Sequence, residues 1–280
     1  MCDKMLIVAG SGTYPACMIA GARKAGVRHI SVIAIKGMTA RAVAAAADEA
    51  VWFGIGEIRA IFDWAEKQHF SHGIMVGQIS PVALFRTRFD ETARSWLNGL
   101  SVKNAHTIFG KIVEEMEKRG IKVLPASCFM DDYMPGVGVL TERAPDEREQ
   151  RDIAFGHRVA KAICGMDIGQ TLLVKDGMIL AVEAFEGTNQ AIKRGGKLGG
   201  KGAVVVKVAK EGHDMRFDIP VIGEKTISTL RRSGVSAIAF QAHRLVMLEP
   251  EKVIAAANRM NIAVIGLDSG LPAAPLRPEE

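Results

Sequence analysis

The sequence predicts an α/β protein: an N-terminal Rossmann-like parallel-sheet domain followed by a C-terminal α/β domain. Three observations predict it. Short β-rich apolar runs alternate with helical patterns through the first half, which is the signature of a parallel sheet covered on both faces. A Pro- and Gly-containing break, Met134-Pro135-Gly136-Val137-Gly138, interrupts regular structure near the middle. The 280 residues divide into about two domains of ordinary size. The expected division is 1–135, a nucleotide-side domain, and 136–280, an α/β domain.

The elements follow in order. Met5–Ala9 reads as a strand ending in Gly10-Ser11-Gly12, and Ala16–Ala25 as a helix stopped by Gly26. Ile30–Ile35 and Ala50–Phe53 are the second and third strands, and Glu57–Lys67 is a helix. Ile74–Val76 is a fourth strand before Gly77-Gln78. Thr107–Arg119 is a helix closed by Gly120, and Ile121–Leu124 a further strand. In the second half Pro145 suits a first helical position, and Asp146, Glu147 and Glu149 suit the positive end of a helix that runs to Ile163. Asp176-Gly177 joins Thr171–Lys175 to Met178–Glu183 as a hairpin. Then come a glycine-rich loop, strand Ala203–Val208, helix Lys225–Arg232, strand Val235–Phe240, helix Glu251–Met260 and strand Ile262–Gly266. The tail Leu271–Glu280, with three prolines, reads as loose.

Composition excludes several classes. Apolar residues at 48% and charged residues at 24% are globular, not disordered. The net charge of +5 is spread evenly, with 16 basic against 13 acidic residues up to Pro135 and 20 against 18 after it, so neither half is a nucleic-acid module. Cys2, Cys17, Cys128 and Cys164 form no CxxC pair and read as small buried hydrophobes. No apolar run approaches the roughly 20 residues of a membrane span, and no signal-peptide pattern is present. A cytoplasmic protein is expected, with contact at a membrane surface left open.

Several stretches carry chemistry. Gly10-Ser11-Gly12 follows a strand and precedes a helix, where a phosphate or ribose approaches backbone amides; a plain tight turn is the other reading. Pro15 occupies the third glycine position of a dinucleotide fingerprint, which disfavours NAD and redox chemistry. Gly77-Gln78 ends another strand at the same sheet edge. From Gly187 to Lys210 there are cations at Lys193, Arg194, Lys197, Lys201, Lys207 and Lys210 and no acid, with five glycines from Gly195 to Gly202. Such a flexible loop either binds a pyrophosphate or is simply solvated. Asp218, held on constrained backbone before Ile219-Pro220, could ligate Mg²⁺, take a proton from water, or cap a turn. Glu183 and Glu186 could ligate a cation, bond ribose hydroxyls, or end a strand. His69 and His72 fit a helix C-terminus better than zinc. Methionines such as Met116, Met130 and Met134 read as core, and the three tryptophans as too scattered for a stacking platform.

These stretches converge on one family. The chain resembles the LpxI-type UDP-2,3-diacylglucosamine pyrophosphatases over nearly its full length. The matching pieces are Val8-Ala9-Gly10-Ser11-Gly12-Thr13-Tyr14-Pro15, Gly77-Gln78-Ile79-Ser80, Arg143-Ala144-Pro145-Asp146-Glu147 with Asp152-Ile153-Ala154, and Asp167-Ile168-Gly169-Gln170. They continue with Ala181-Val182-Glu183-Ala184-Phe185-Glu186-Gly187-Thr188, Val206-Lys207-Val208-Ala209-Lys210 and Arg216-Phe217-Asp218-Ile219-Pro220-Val221-Ile222-Gly223. The resemblance implies two α/β domains with a lipid-linked UDP-sugar between them. It implies Mg²⁺-dependent hydrolysis of UDP-2,3-diacylglucosamine to UMP and 2,3-diacylglucosamine 1-phosphate in lipid A biosynthesis, with Mn²⁺ as the other candidate metal. It places the family's essential aspartate on Asp218. The expected roles are then catalysis by Asp218, Lys207 and Arg216, metal binding by Asp218 and Asp214, and substrate binding by Gly10, Ser11, Gly12, Gly77, Gln78, Glu186, Gly187 and Thr188. No nucleic-acid partner is expected; a homodimer and contact with the inner face of the inner membrane stay open.

One departure stands out. The family's Gly-Asp-Asp-Ala segment, just before the helix near Thr107, is Asn104-Ala105-His106-Thr107 here, without either acid. That leaves two other expectations open: a pyrophosphatase for another nucleotide sugar, and a non-catalytic nucleotide-lipid binding protein.

Overall fold

A computed structural model describes residues 3–79, 87–102, 105–209, 214–217, 219–268 and 270. Two compact units emerge. One holds the described residues up to Asp131 together with Asp214 to Phe217; the other holds Asp132 to Ala209 and the described residues from Ile219 onward.

The N-terminal unit is a five-stranded sheet. Its strands are β1 (Lys4–Ala9), β2 (His29–Ile35), β3 (Glu49–Phe53), β4 (His72–Val76) and β5 (Lys122–Val123), in the order β3-β2-β1-β4-β5. Every pairing is parallel, as the unbroken apolar strand runs require. The helices are α1 (Tyr14–Lys24), α2 (Arg41–Ala45), α3 (Ile58–Lys67), α4 (Glu91–Gly99) and α5 (Ala105–Lys118). One core cluster joins Leu6, Ile33 and Met75 of the sheet to Phe62 of α3 and Val113 and Met116 of α5. Strand and helix ends differ from the sequence expectation by at most two residues. Two helices are additional. α2 is a single alanine-rich turn, too short to show a period, and α4 starts where the Asp90 carboxylate accepts the Ala93 amide at 2.8 Å.

The C-terminal unit has a mixed six-stranded sheet. It contains β6 (Gly138–Val139), β7 (Thr171–Lys175), β8 (Met178–Val182), β9 (Ala203–Lys207), β11 (Val235–Gln241) and β13 (Ala263–Leu267), in the order β6-β13-β11-β9-β7-β8. β9, β11 and β13 are parallel; β7 runs against β9 and β8, and β6 runs against β13. A separate parallel pair joins β10 (Val221–Ile222) to β12 (Val246–Met247). Alternation divides the sheet's faces. Val204 and Val206 pack with Ile153 and Ala160 of α6 (Glu147–Gly165). Ala203 and Val205 pack with residues of α7 (Thr188–Gly199), α8 (Glu224–Arg232) and α9 (Pro250–Arg259).

Two expectations are corrected here. The stretch expected as a flexible glycine-rich loop is mostly the helix α7. Its glycines are packing residues: a Cβ on Gly195 would stand 2.7 Å from Leu173 Cδ2, and one on Gly196 2.3 Å from the Ser233 carbonyl oxygen. Each glycine disfavours a helix by about 1 kcal/mol, but here glycine is what lets the helix lie against the sheet and α8. Pro145 precedes the cap of α6 instead of occupying its first position. Asp146 is the cap, accepting Glu149 N at 2.7 Å while the Glu149 carboxylate accepts Asp146 N at 2.9 Å.

The same region shows what the Arg143–Glu147 and Asp152 motif does. Arg143 forks onto the buried Glu149 at 2.8 and 3.1 Å and also donates to the carbonyls of Ser236 and Asn261. Asp152 accepts both turn amides of the β7–β8 hairpin, Asp176 N at 2.9 Å and Gly177 N at 2.8 Å. The motif anchors the C-terminal unit.

Candidate active site

In the N-terminal unit the carboxyl ends of β1 and β4 meet through main chain. Ser11 N donates to Gln78 O and Gln78 N to Ser11 O, each at 2.9 Å, and Ser11 Oγ adds a 2.8 Å bond to Gln78 O. A Cβ on Gly10 would lie 2.8 Å from the Gly77 carbonyl carbon, and Gly77 itself has φ +96°. Gly10, Ser11, Gly77 and Gln78 are thus brought together, and the two inner glycines serve the approach of one loop to the other. Gly12, with φ +93°, faces open space. Nearby, Tyr14 Oη donates to Ala126 O at 2.6 Å, and burial pushes its phenol up.

In the C-terminal unit the carboxyl edge is lined by side chains. Lys207 ends β9 and is 4% exposed. Its ammonium donates to Thr188 Oγ1 at 3.0 Å and to Thr171 Oγ1 at 3.2 Å, and lies 4.0 Å from Glu183 Oε2. Thr188 in turn donates to Glu183 Oε1 at 2.8 Å. Antiparallel pairing sets Thr171, the first residue of β7, opposite Lys207. Gly169 lets the chain after α6 touch Glu183, since a Cβ there would be 2.0 Å from the Glu183 carbonyl oxygen. An ammonium has three protons. Two go to the threonines, and the buried Glu183 Oε2 has no hydrogen bond among the described residues. The ammonium and Glu183 Oε2 stand as an ion pair at the edge.

The remaining expected residues are placed as follows. Lys193, Lys197 and Lys201 are exposed around α7, and Lys207 is buried at the edge. Glu186 is held by Arg194 at 2.6 Å, and that hydrogen bond keeps its carboxyl below the usual range. Gly187 caps α7 with φ 81° and puts Thr188 at its first turn. Asp214 and Arg216 lie in the N-terminal unit and satisfy each other: Arg216 Nε reaches Asp214 Oδ1 at 2.8 Å and Nη2 reaches Oδ2 at 2.7 Å, while Nη1 reaches Glu117 at 2.7 Å. Phe217 packs on Phe109 with centroids 5.9 Å apart. Asp218, Lys210, Ser80 and Asn104 lie outside the described residues.

A metal set does not form from the described donors. No group of three His, Cys, Asp or Glu side chains converges among the described residues, and both Asp214 oxygens accept from Arg216. Gln241, at the end of β11 beside the end of β9, is a buried polar residue the sequence reading missed. It is 1% exposed, its Oε1 accepts Ala209 N at 2.7 Å, and its Nε2 has no partner among the described residues. The available signal was an amide closing a strand that is apolar from Ala237 to Phe240.

Comparison with known families settles membership. The LpxI N-terminal domain matches residues 4–133, and the LpxI C-terminal domain matches residues 136–265. The chain belongs to the LpxI family. A relative of this LpxI chain is the UDP-2,3-diacylglucosamine pyrophosphatase LpxI of Caulobacter vibrioides, 28% identical over 276 residues, which cover 95% of this chain and 98% of the relative. Among solved structures, the biotin carboxylase domain of Hydrogenobacter thermophilus 2-oxoglutarate carboxylase matches 64% of the LpxI chain and 36% of its own, at 17% identity and a TM-score of 0.27. Biotin carboxylase from Campylobacter jejuni matches 71% and 42%, at 13% identity and a TM-score of 0.27. Likeness at that level carries no argument about this chain.

Proposed function

We propose that this protein is the UDP-2,3-diacylglucosamine pyrophosphatase of lipid A biosynthesis in its source, hydrolysing its substrate to UMP and 2,3-diacylglucosamine 1-phosphate. The observation that carries the reading is that the N- and C-terminal models of one family succeed each other along the chain without a gap of more than two residues. In the reaction a water oxygen forms a bond to one phosphorus, and the bridging P–O bond breaks. The bridging oxygen leaves on the other phosphate, and the water's protons pass to a base and to solvent. Lys207 is suited to donate to a phosphate oxygen as charge gathers there, because its position is fixed beforehand by Thr171 and Thr188. Glu183 balances that buried cation. Asp218, at the family's aspartate position, is the proposed catalytic carboxylate.

Dependence on Mg²⁺ or Mn²⁺ is part of the proposal and rests on the family resemblance and Asp218; no step is routed through the metal. Arg216 is proposed to act chiefly on Asp214, its partner here. Contact with a membrane surface follows from an acylated substrate. Exposed apolar side chains in the C-terminal unit, among them Met166, Ile168 and Leu198, support it, and the chain has no helix long and apolar enough to cross a membrane among the described residues.

The test is product analysis of the purified protein with UDP-2,3-diacylglucosamine. UMP should form with Mg²⁺, stop with EDTA and return on adding the metal back. Asp218→Ala should lose about 100-fold or more in turnover while keeping its unfolding temperature. Near-normal UMP release by that variant would remove Asp218 from the reaction. A second reading, hydrolysis of an unacylated nucleotide sugar, is favoured by the absent acid pair before Thr107; UDP-N-acetylglucosamine run in parallel separates the two.

A further inference from the structure

α7 carries cations that the candidate site does not use. From Thr188 to Gly199 it holds Lys193, Arg194 and Lys197 and no acid. Helical spacing sorts them. Ala191, Ile192, Gly195 and Gly196 recur on one face and are buried. Lys193, Lys197 and Leu198 are left on the outward side, and all three are exposed. Arg194, on the flank, is engaged: its guanidinium donates to the Val182 carbonyl at 2.7 Å and to Glu186 at 2.6 Å. The two lysines have no ion pair or hydrogen bond among the described residues. They stand four positions apart, a spacing at which like charges oppose the helix.

Apolar side chains stand at both ends of this basic face. At the C-terminal end Leu198 is 68% exposed. There the Lys175 ammonium donates to the Gly199 carbonyl at 2.8 Å, and Met178, in register with Lys175, is also exposed. At the N-terminal end Phe185 is 63% exposed, two residues before the capping Gly187. Gly169 touches the Glu183 carbonyl, which brings the exposed Ile168 alongside. The two ends are about 18 Å apart, the length of a twelve-residue helix. β8 is the outermost strand on this side of the sheet, so among the described residues no further strand covers the flank.

A partner for this surface is broad, negatively charged and able to accept apolar side chains. An anionic phospholipid bilayer is all three: its phosphates meet the lysines, and its acyl boundary takes the apolar side chains at both ends of the helix at once. A nucleic acid would satisfy the lysines and leave Leu198, Met178 and Phe185 against phosphate. A second copy of α7 would bring the same cations face to face.

We infer that the outward face of α7, with Leu198 and Met178 at one end and Phe185 at the other, docks on an anionic phospholipid bilayer. This assignment rests on the proposed pyrophosphatase reading for its purpose, access to an acylated substrate, and adds the surface and the lipid charge. Thr188 opens α7 at the Phe185 end and bonds Lys207, so a bilayer along this face meets the candidate site at that end.

The experiment is co-sedimentation of the full-length protein with phosphatidylcholine vesicles, with or without about 30% phosphatidylglycerol, for wild type, the double variant Lys193→Gln/Lys197→Gln, and Leu198→Ser. Wild type should bind the anionic vesicles at least about tenfold more tightly, and about 0.5 M salt should remove the difference. The double variant should lose about tenfold or more, at about fivefold for each lysine, and Leu198→Ser about fivefold. Unfolding temperatures should not fall, because these side chains are exposed. Equal binding to both vesicles, no binding, or variants within twofold of wild type overturns the assignment. So does a dimer in sedimentation velocity that Leu198→Ser dissociates, which would mark a contact between copies. Hydrolysis separates the two claims. With UDP-2,3-diacylglucosamine in detergent micelles both variants should release UMP at the wild-type rate; with the same substrate in anionic vesicles the double variant should fall about tenfold. Hydrolysis in micelles without any vesicle binding removes the docking surface and keeps the enzyme. Lysine-dependent vesicle binding without hydrolysis in micelles does the reverse.

Discussion

The carboxyl edges of the two sheets are built in opposite ways. In the N-terminal unit, Gly10-Ser11 and Gly77-Gln78 close on each other through amides and carbonyls, groups that every residue has. In the C-terminal unit, Lys207, Thr171, Thr188 and Glu183 meet through side chains drawn from β9, β7, the start of α7 and the end of β8. The first arrangement needs only the absence of a Cβ at two positions. The second needs four particular functional groups and ends in the Lys207–Glu183 ion pair. The first contact rests on groups common to every residue; the second sets a buried cation beside a half-buried carboxylate.

Lys207→Met tests the C-terminal edge most severely. It removes the cation beside the half-buried Glu183 and the donor to Thr171 and Thr188, a change expected to cost about 1–3 kcal/mol, read from the urea midpoint. UMP release should fall about 100-fold or more. A variant as stable and active as wild type would show the side-chain edge to be ornamental.

Glycine replacements compare close packing in the two units. Gly196→Ala drives a Cβ to 2.3 Å from the Ser233 carbonyl oxygen, and Gly10→Ala drives one to 2.8 Å from the Gly77 carbonyl carbon. Both obstacles are backbone, so both should destabilise by about 1–3 kcal/mol, with Gly196→Ala the larger despite the better helix propensity of alanine. Thermal unfolding ranks them; the opposite order would mean that α7 moves more readily than the Ser11–Gln78 contact.

The smallest effect belongs to α5 of the N-terminal unit. Glu115 is held at a pKa of about 2, chiefly by its hydrogen bond from Arg119, with Lys111 and Lys118 adding to it. A depressed carboxyl stabilises above its unfolded pKa of about 4.3 and loses that contribution as pH falls toward 2. Glu115→Gln should therefore cost under about 1 kcal/mol at pH 7 and nothing near pH 2. Comparing urea midpoints at pH 7 and pH 2.5 measures it.

The longer strands and most helices were legible because those strands are largely apolar runs and many breaks hold a glycine or proline, whereas strand order and the two-residue strands β6, β10 and β12 were not. The Asp176-Gly177 hairpin and the acidic start of α6 needed only local chemistry. α7 was not legible. Its glycines lower local helix propensity, and the reason for them is Leu173 and Ser233, neighbours brought in from other elements. The site divides in the same way. Lys207, Thr188 and the Gly10 and Gly77 turns stand out in sequence, whereas Thr171 reaches Lys207 only through strand pairing across 36 positions. Asp214 and Arg216, expected near metal and phosphate, are two residues apart and satisfy each other, a local pairing that charge alone does not reveal.

Asp214 to Phe217 belong to the N-terminal unit although about eighty residues of the other unit precede them in the chain. Ala126 N donates to Met215 O at 2.7 Å, Glu117 accepts Arg216, and Phe109 stacks on Phe217. On the ribosome the first unit must therefore wait, its sheet made but these places vacant, until most of the second has been synthesised. The chain cannot be cut once to yield two whole halves, and a nascent N-terminal unit is exposed for that interval to whatever chaperones or proteases recognise an unfinished surface.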